Sequence, residues 1–152
     1  MIAERYSIEF GAAFKVYEFV SEGPKGKVRK IVQYTSINLK NYFNLGFGHK
    51  NPLANTIDDL VVTNNGDSQK ILATVAYTLY EFTDHYSGAN IIAIGSTMAR
   101  TRLYRIGITN NLDAIQIDFN IYGLKENTWH RFEKGVVYDA SLVNRKKYKI
   151  AA

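Results

Sequence analysis

Residues 64–108 read NNGDSQKILATVAYTLYEFTDHYSGANIIAIGSTMARTRLYRIGI, and their reading decides the fold. Asn65-Gly66 predicts a turn. Asp67 or Ser68 then stands where a side chain accepts a hydrogen bond from the first free N–H groups of a helix. Ile71, Leu72, Val75, Leu79, Phe82 and Tyr86 fall on one helical face, with Lys70, Thr74, Glu81 and Asp84 off it. Ser87-Gly88 ends that helix, since glycine takes the left-handed cap readily. The run ANIIAIG (89–95) is apolar with no polar alternation, which predicts a strand covered on both faces. A second helix is predicted from Thr97 to about Gly107, with Ala99, Leu103 and Ile106 on its core face. In that helix Arg100 and Tyr104 share one flank, while Arg102 and Arg105 share the other.

Strands surround this centre. YSIEF (6–10) is a short strand. AFKVYEFV and KVRKIVQYTSI flank SEGPKG, whose Gly and Pro supply turn chemistry, so they form a hairpin. NLKNYFNLGFGHKNPLAN mixes aromatic strand formers with glycines and asparagines and reads as an irregular strand or a loop. TIDDLVVT (56–63) is β-branched and reads as a buried strand. AIQIDFNIYGL (114–124) alternates Ile115, Ile117, Phe119 and Ile121 with polar residues, as a half-buried strand does. TWHRFEKG is a short edge piece, and VVYDASLVNRK a final strand. The order predicts an α+β domain spanning residues 1–152, with two main helices on one mixed, mainly antiparallel sheet.

Composition sets the bounds. The chain has 152 residues, 46% of them hydrophobic and 13% aromatic, with eleven tyrosines, eight phenylalanines and no cysteine. Such a chain is long enough to bury a core. Without cysteine there is no disulfide and no thiolate nucleophile or ligand, which fits a reducing, cytoplasmic setting. The start MIAERYSIEF lacks the basic and apolar regions of a signal peptide. No apolar run reaches the length of a membrane span, so no membrane partner is expected. The formal net charge of +5 suits an anionic partner. It is concentrated in KGKVRK (25–30), in Arg100, Arg102 and Arg105, and in NRKKYK (144–149).

Two strand-turn-helix junctions are candidate anion sites, because a helix N-terminus offers free N–H groups and a partial positive charge. One is Ser96-Thr97 with Arg100; the other is Asn65, Gly66, Asp67 and Ser68. Each has a structural alternative: an N-capped amphipathic helix with solvated arginines, and a simple turn and cap. Asp67 would oppose an anion, and neither glycine-rich phosphate fingerprint is present. His49, His85 and His130 have no ligand partner at metal-binding spacing, so no metal is expected. Aromatic residues interleave with basic ones in KVYEFV and RKKYK, which leaves nucleic acid as a weaker candidate partner. Exposed aromatic strands such as NYFNLGF leave room for a homo-oligomer.

IDDLVVTNNGDSQKILATVAYTLYEF resembles the strand-loop-helix that receives the CoA pyrophosphate in the acetyl-CoA-dependent N-acetyltransferase (GNAT) superfamily. ARTRLYRIGI is similar to that superfamily's second-helix signature, and VVYDASLVNRK to its closing strand. The resemblance covers roughly residues 56–145. It implies a GNAT-like topology and a cofactor of the acetyl-CoA or other CoA thioester type. It further implies that Tyr104 matches the general acid that protonates the leaving thiolate, acting as a phenol near the thioester sulfur. The early helices that build the acceptor site in that superfamily have no counterpart before Thr56. The chain as a whole, and GSTMARTRLYRIGI above all, also resembles an uncharacterised bacterial domain family of no assigned function. Two functions follow as expectations. One is an N-acyltransferase, or a degenerate relative that keeps a CoA or anion pocket. The other is a non-enzymatic basic module contacting nucleic acid or a partner protein, as a toxin-antitoxin or defence component would.

Overall fold

A computed structural model describes residues 4–50, 57–58, 66–95 and 97–147. In chain order the elements are β1 (Glu9–Phe10), β2 (Val16–Gly23), β3 (Gly26–Ser36), β4 (Tyr42–Lys50), β5 (Ile57–Asp58), α1 (Ser68–His85), β6 (Asn90–Ala93), α2 (Met98–Asn110), α3 (Leu112–Asp118), β7 (Phe119–Lys125), β8 (Thr128–Arg131) and β9 (Ala140–Arg145). The fold is α+β, with one mixed, mostly antiparallel open sheet in the order β1-β2-β3-β4-β6-β9-β7-β8 and β5 added beside β4.

The hairpin of β2 and β3 forms as expected, pairing Val16 with Gln33 through to Gly23 with Gly26. The ambiguous aromatic stretch is strand β4, because its alternate residues Phe43, Leu45 and Phe47 are buried and fill one face of the sheet. Among the described residues the one parallel pair of neighbouring strands is β4 and β6, joined by Tyr42↔Asn90, Phe43↔Ile91 and Asn44↔Ile92. A parallel pair needs a long crossover, and α1 supplies it. A second crossover through α2 and α3 leads from β6 to β7. Right-handed connections place these helices on the same face.

One core joins that face. It holds Tyr17, Phe19, Val32, Tyr34, Phe43, Leu45 and Phe47 from the first strands, Ile91, Phe119, Ile121 and Val143 from the later ones, and Ile71, Val75, Leu79, Phe82, Tyr104, Ile108 and Ile115 from the helices. Tyr34 stacks on Phe82 with centroids 4.1 Å apart, and its phenol oxygen is 2.7 Å from Thr78 Oγ1. Burying an aromatic side chain of this kind contributes about 2–3 kcal/mol. Where α1 meets α2, a Cβ on Gly107 would stand 3.1 Å from Leu72 Cδ2, so the small residue sets the helix approach.

Three expectations change. Residues 112–118 form a helix, not the start of a strand. Asn111 closes α2, its N–H reaching Ile108 and its Nδ2 donating to Gly107 O. The Asn111 carbonyl then accepts from Ala114 and Ile115 and starts α3. Burial of Leu112 and Ile115 decides the matter, and Ile117 is left exposed. Thr74 is fully buried on α1 rather than off its core face, since Tyr6 N–H donates to its Oγ1 from the segment that covers it. On α2 the inward residues are Arg100, Tyr104, Gly107 and Ile108, whereas Ala99 is exposed. The predicted flank is therefore the core face. Of the strand expected at 56–63, only 57–58 lie within the described residues.

Candidate functional site

Strands β4 and β6 share three registers and then part. Beyond Asn44, β4 runs on to Lys50, while the chain leaves β6 after Ala93. Strand β5 fills the same side of β4 only at His49↔Asp58 and Lys50↔Ile57, since β3 holds the other side. Between these pairings, residues 45–48 of β4 face no strand on that side among the described residues.

Helix α2 lies along this gap. The Arg100 guanidinium carbon is 5.5 Å from the Phe47 ring centroid. Tyr104 shares a cavity of about 30 Å³ with Leu45, Ala93 and Val143. One helical turn thus matches two strand residues, about 6 Å against about 7 Å. Helix and strand run in opposite directions, so the N-terminus of α2 points towards the His49 end of β4. Thr97 caps it, accepting from Arg100 N–H at 3.1 Å. The close start needs Gly95, where a Cβ would sit 2.4 Å from Arg100 Cβ.

At that end a row crosses the sheet. Phe19 pairs with Lys30, and Lys30 with His49. Directly opposed residues share a face, so all three project to the helix side. Lys30 is 4% exposed. Its ammonium lies 5.8 Å from the Phe47 centroid and has no hydrogen bond or ion pair among the described residues. Burial, then repulsion from Arg100, pulls its pKa down to about 8, and Asp67 pulls the other way.

The N-terminus of α1 arrives at the same place. Gly66, at φ +73°, makes the expected turn. Asp67 occupies the N-cap position but caps nothing with its side chain. Its Oδ2 instead accepts from Tyr6 Oη and Ser21 Oγ, each at 2.5 Å. Ser21 lies two residues along β2 from Phe19, the neighbour of Lys30. Asp67 Oδ1 is buried without a hydrogen-bond partner among the described residues. Burial and the Asp67 carboxylate raise the Tyr6 pKa.

Of the residues singled out in the sequence, the structure thus brings Arg100 and Tyr104 to this gap, sets Asp67 against Ser21 of β2, and leaves Gly66, Ser68 and Thr97 at the helix starts. Asn65 and Ser96 lie outside the described residues. The sequence reading did not select Lys30 or His49. Their signal was period-two phase: Lys30 alternates with Val32 and Tyr34, and His49 with Leu45 and Phe47.

Other residues of the basic clusters have partners within the fold. Lys27 pairs with Glu22 at 3.8 Å and Arg29 with Glu18 at 3.3 Å. Arg145 holds Asp84 at 3.0 Å, and Lys146 Nζ donates to Gln116 O at 2.6 Å. No helix among the described residues is long and apolar enough to cross a membrane.

The chain belongs to DUF6934, a family of unknown function whose profile matches residues 3–146. No curated protein and no solved structure matches it.

Proposed function

We propose that this chain binds a phosphate-bearing ligand of the CoA type where β4 parts from β6, with Lys30 and Arg100 as its cations. The observation that carries this reading is Lys30, a buried ammonium beside the Phe47 ring with no hydrogen bond or ion pair among the described residues. A buried charge is costly unless something pairs with it. Here a second buried cation, Arg100, and the positive ends of two helices increase the cost. An anion between them removes it. The donor set suits a pyrophosphate, which takes point charge from Lys and a planar fork from Arg.

Three further features support a GNAT-like frame. The strand order places β9 between β6 and β7 as a late insertion. The two central parallel strands stop pairing after Asn44 and Ile92. The unpaired edge at residues 45–48 of β4 offers N–H and C=O groups to an extended amide-bearing arm, as an added strand would meet them. In this reading Tyr104, beside Leu45 and Ala93, donates its phenol proton to a departing thiolate. The acceptor nitrogen bonds to the acyl carbon as the C–S bond breaks, and the amine proton leaves to solvent. The cavity beside Tyr104 holds about one water, so acyl transfer requires α2 to move away from β4.

Calorimetric titration with acetyl-CoA, CoA and inorganic pyrophosphate tests the reading. Saturable binding that weakens at least tenfold in both Lys30→Met and Arg100→Ala is expected. No heat at millimolar ligand, with the fold intact by circular dichroism, overturns it. Tyr104→Phe is expected to bind acetyl-CoA as wild type does and to lose turnover.

A further inference from the structure

The outward strip of α2 faces a different surface. Arg102 and Arg105 border a cleft of about 580 Å³ whose apolar lining includes Ile94, Met98 and Val137. Neither arginine has a hydrogen bond or ion pair among the described residues. One carboxylate, Asp139, lies on the cleft wall, so the side chains there carry a net positive charge. Met98 is 91% exposed, Val137 69% and Ile94 48%. Scattered apolar residues on a surface need no explanation, but three around one basic cleft do. A small molecule in a cleft is largely enclosed by it. Met98 stands out too far for that and needs a macromolecular surface to cover it.

We propose that this cleft docks an acidic, amphipathic segment of another protein. Its carboxylates would pair with Arg102 and Arg105, and its apolar side chains would cover Met98, Ile94 and Val137. Charge complementarity favours an acidic partner, and the flexible thioether of Met98 adapts to varied apolar surfaces. Nucleic acid suits the cleft less well. Its ring, Tyr138, is buried, with Gly123 so close that a Cβ there would lie 2.3 Å from it, and so offers no stacking platform. Neither Lys30 nor Arg100 lines this cleft, and its test does not depend on CoA binding.

Selection of a displayed random-peptide library on the full chain tests the proposal. The recovered peptides are then titrated against wild type, Met98→Asp and the Arg102→Glu/Arg105→Glu double variant. Peptides that alternate acidic and apolar residues are expected, with affinity at least tenfold weaker for either variant and falling as salt rises. Unchanged melting temperatures show that the variants fold. No enrichment, peptides without acidic residues, or affinity indifferent to both variants overturns the proposal. So does a single-stranded oligonucleotide that binds through the arginines but ignores Met98→Asp. A dimer in sedimentation that Met98→Asp dissolves makes a second copy the occupant and also overturns it.

Discussion

At the C-terminal end of α1, Arg145 of β9 donates to Thr83 Oγ1 and Asp84 Oδ1, both at 3.0 Å. Its guanidinium also lies 5.2 and 5.4 Å from the rings of Tyr80 and Phe119. At the N-terminal end, Lys30 of β3 lies over the Phe47 ring and has no hydrogen bond or ion pair among the described residues. The helix dipole widens the contrast, because a cation is favoured at a helix C-terminus and disfavoured at an N-terminus. One charge is bonded into the fold, and the other has no hydrogen bond or ion pair among the described residues. A satisfied cation beside a carboxylate marks structure.

The sharpest way to break this contrast is to make both ends apolar. Lys30→Met should raise the melting temperature of the free protein, since it removes an uncompensated buried charge. It should also weaken pyrophosphate binding by about 3 kcal/mol, the scale of a charge-assisted hydrogen bond. Arg145→Met should do the opposite. Thermal unfolding should show a loss of about 2 kcal/mol as Thr83 and Asp84 lose their donor, with pyrophosphate affinity unchanged. If both variants shift stability in the same direction, the two ends do not differ as described.

The pH dependence sharpens the contrast further. Burial and Arg100 pull the Lys30 pKa down to about 8 in the fold, against about 10.4 in the unfolded chain. The unfolded chain therefore binds more protons between these values, and the free protein should gain stability relative to Lys30→Met as pH rises through that window. A bound anion raises the folded pKa again. Pyrophosphate affinity should accordingly fall above about pH 8, by up to about tenfold per unit, and calorimetry across pH 7–9.5 reads that slope. A flat profile in wild type would mean that Lys30 does not meet the ligand. The smallest effect concerns the start of α2. Thr97→Ala removes the cap on Arg100 N–H and should cost about 1 kcal/mol in chemical denaturation, with a matching loss of affinity only if that helix end touches the anion.

Local patterns made much of the fold legible. The α1 face from Ile71 to Phe82 repeats every three to four residues, and the β2–β3 hairpin is marked by its own turn. Both signals are carried by neighbours in sequence. The segment at 114–118 misled because Ile115, Ile117 and Phe119 alternate as a strand does, while Asn111 and the burial of Leu112 and Ile115 favour a helix. Part of the candidate site was legible too, in Asp67, Thr97, Arg100 and Tyr104. Lys30 was hidden because a lysine in a basic run reads as a solvated turn. Only its phase with Val32 and Tyr34 puts it inside.

By itself the sequence determined an α+β chain, a helix-strand-helix centre and a surplus of basic charge, because these follow from composition and short-range periodicity. Tertiary structure alone decided which strip of α2 faces inward, since ANIIAIG and MARTRLYRIGI together do not say how far a helix is rotated against a sheet. The close contact at Gly95 and the seat of Tyr104 beside Leu45 set that rotation. It is this rotation that places Arg100 over Phe47 beside Lys30 and leaves Arg102 and Arg105 to the outer surface.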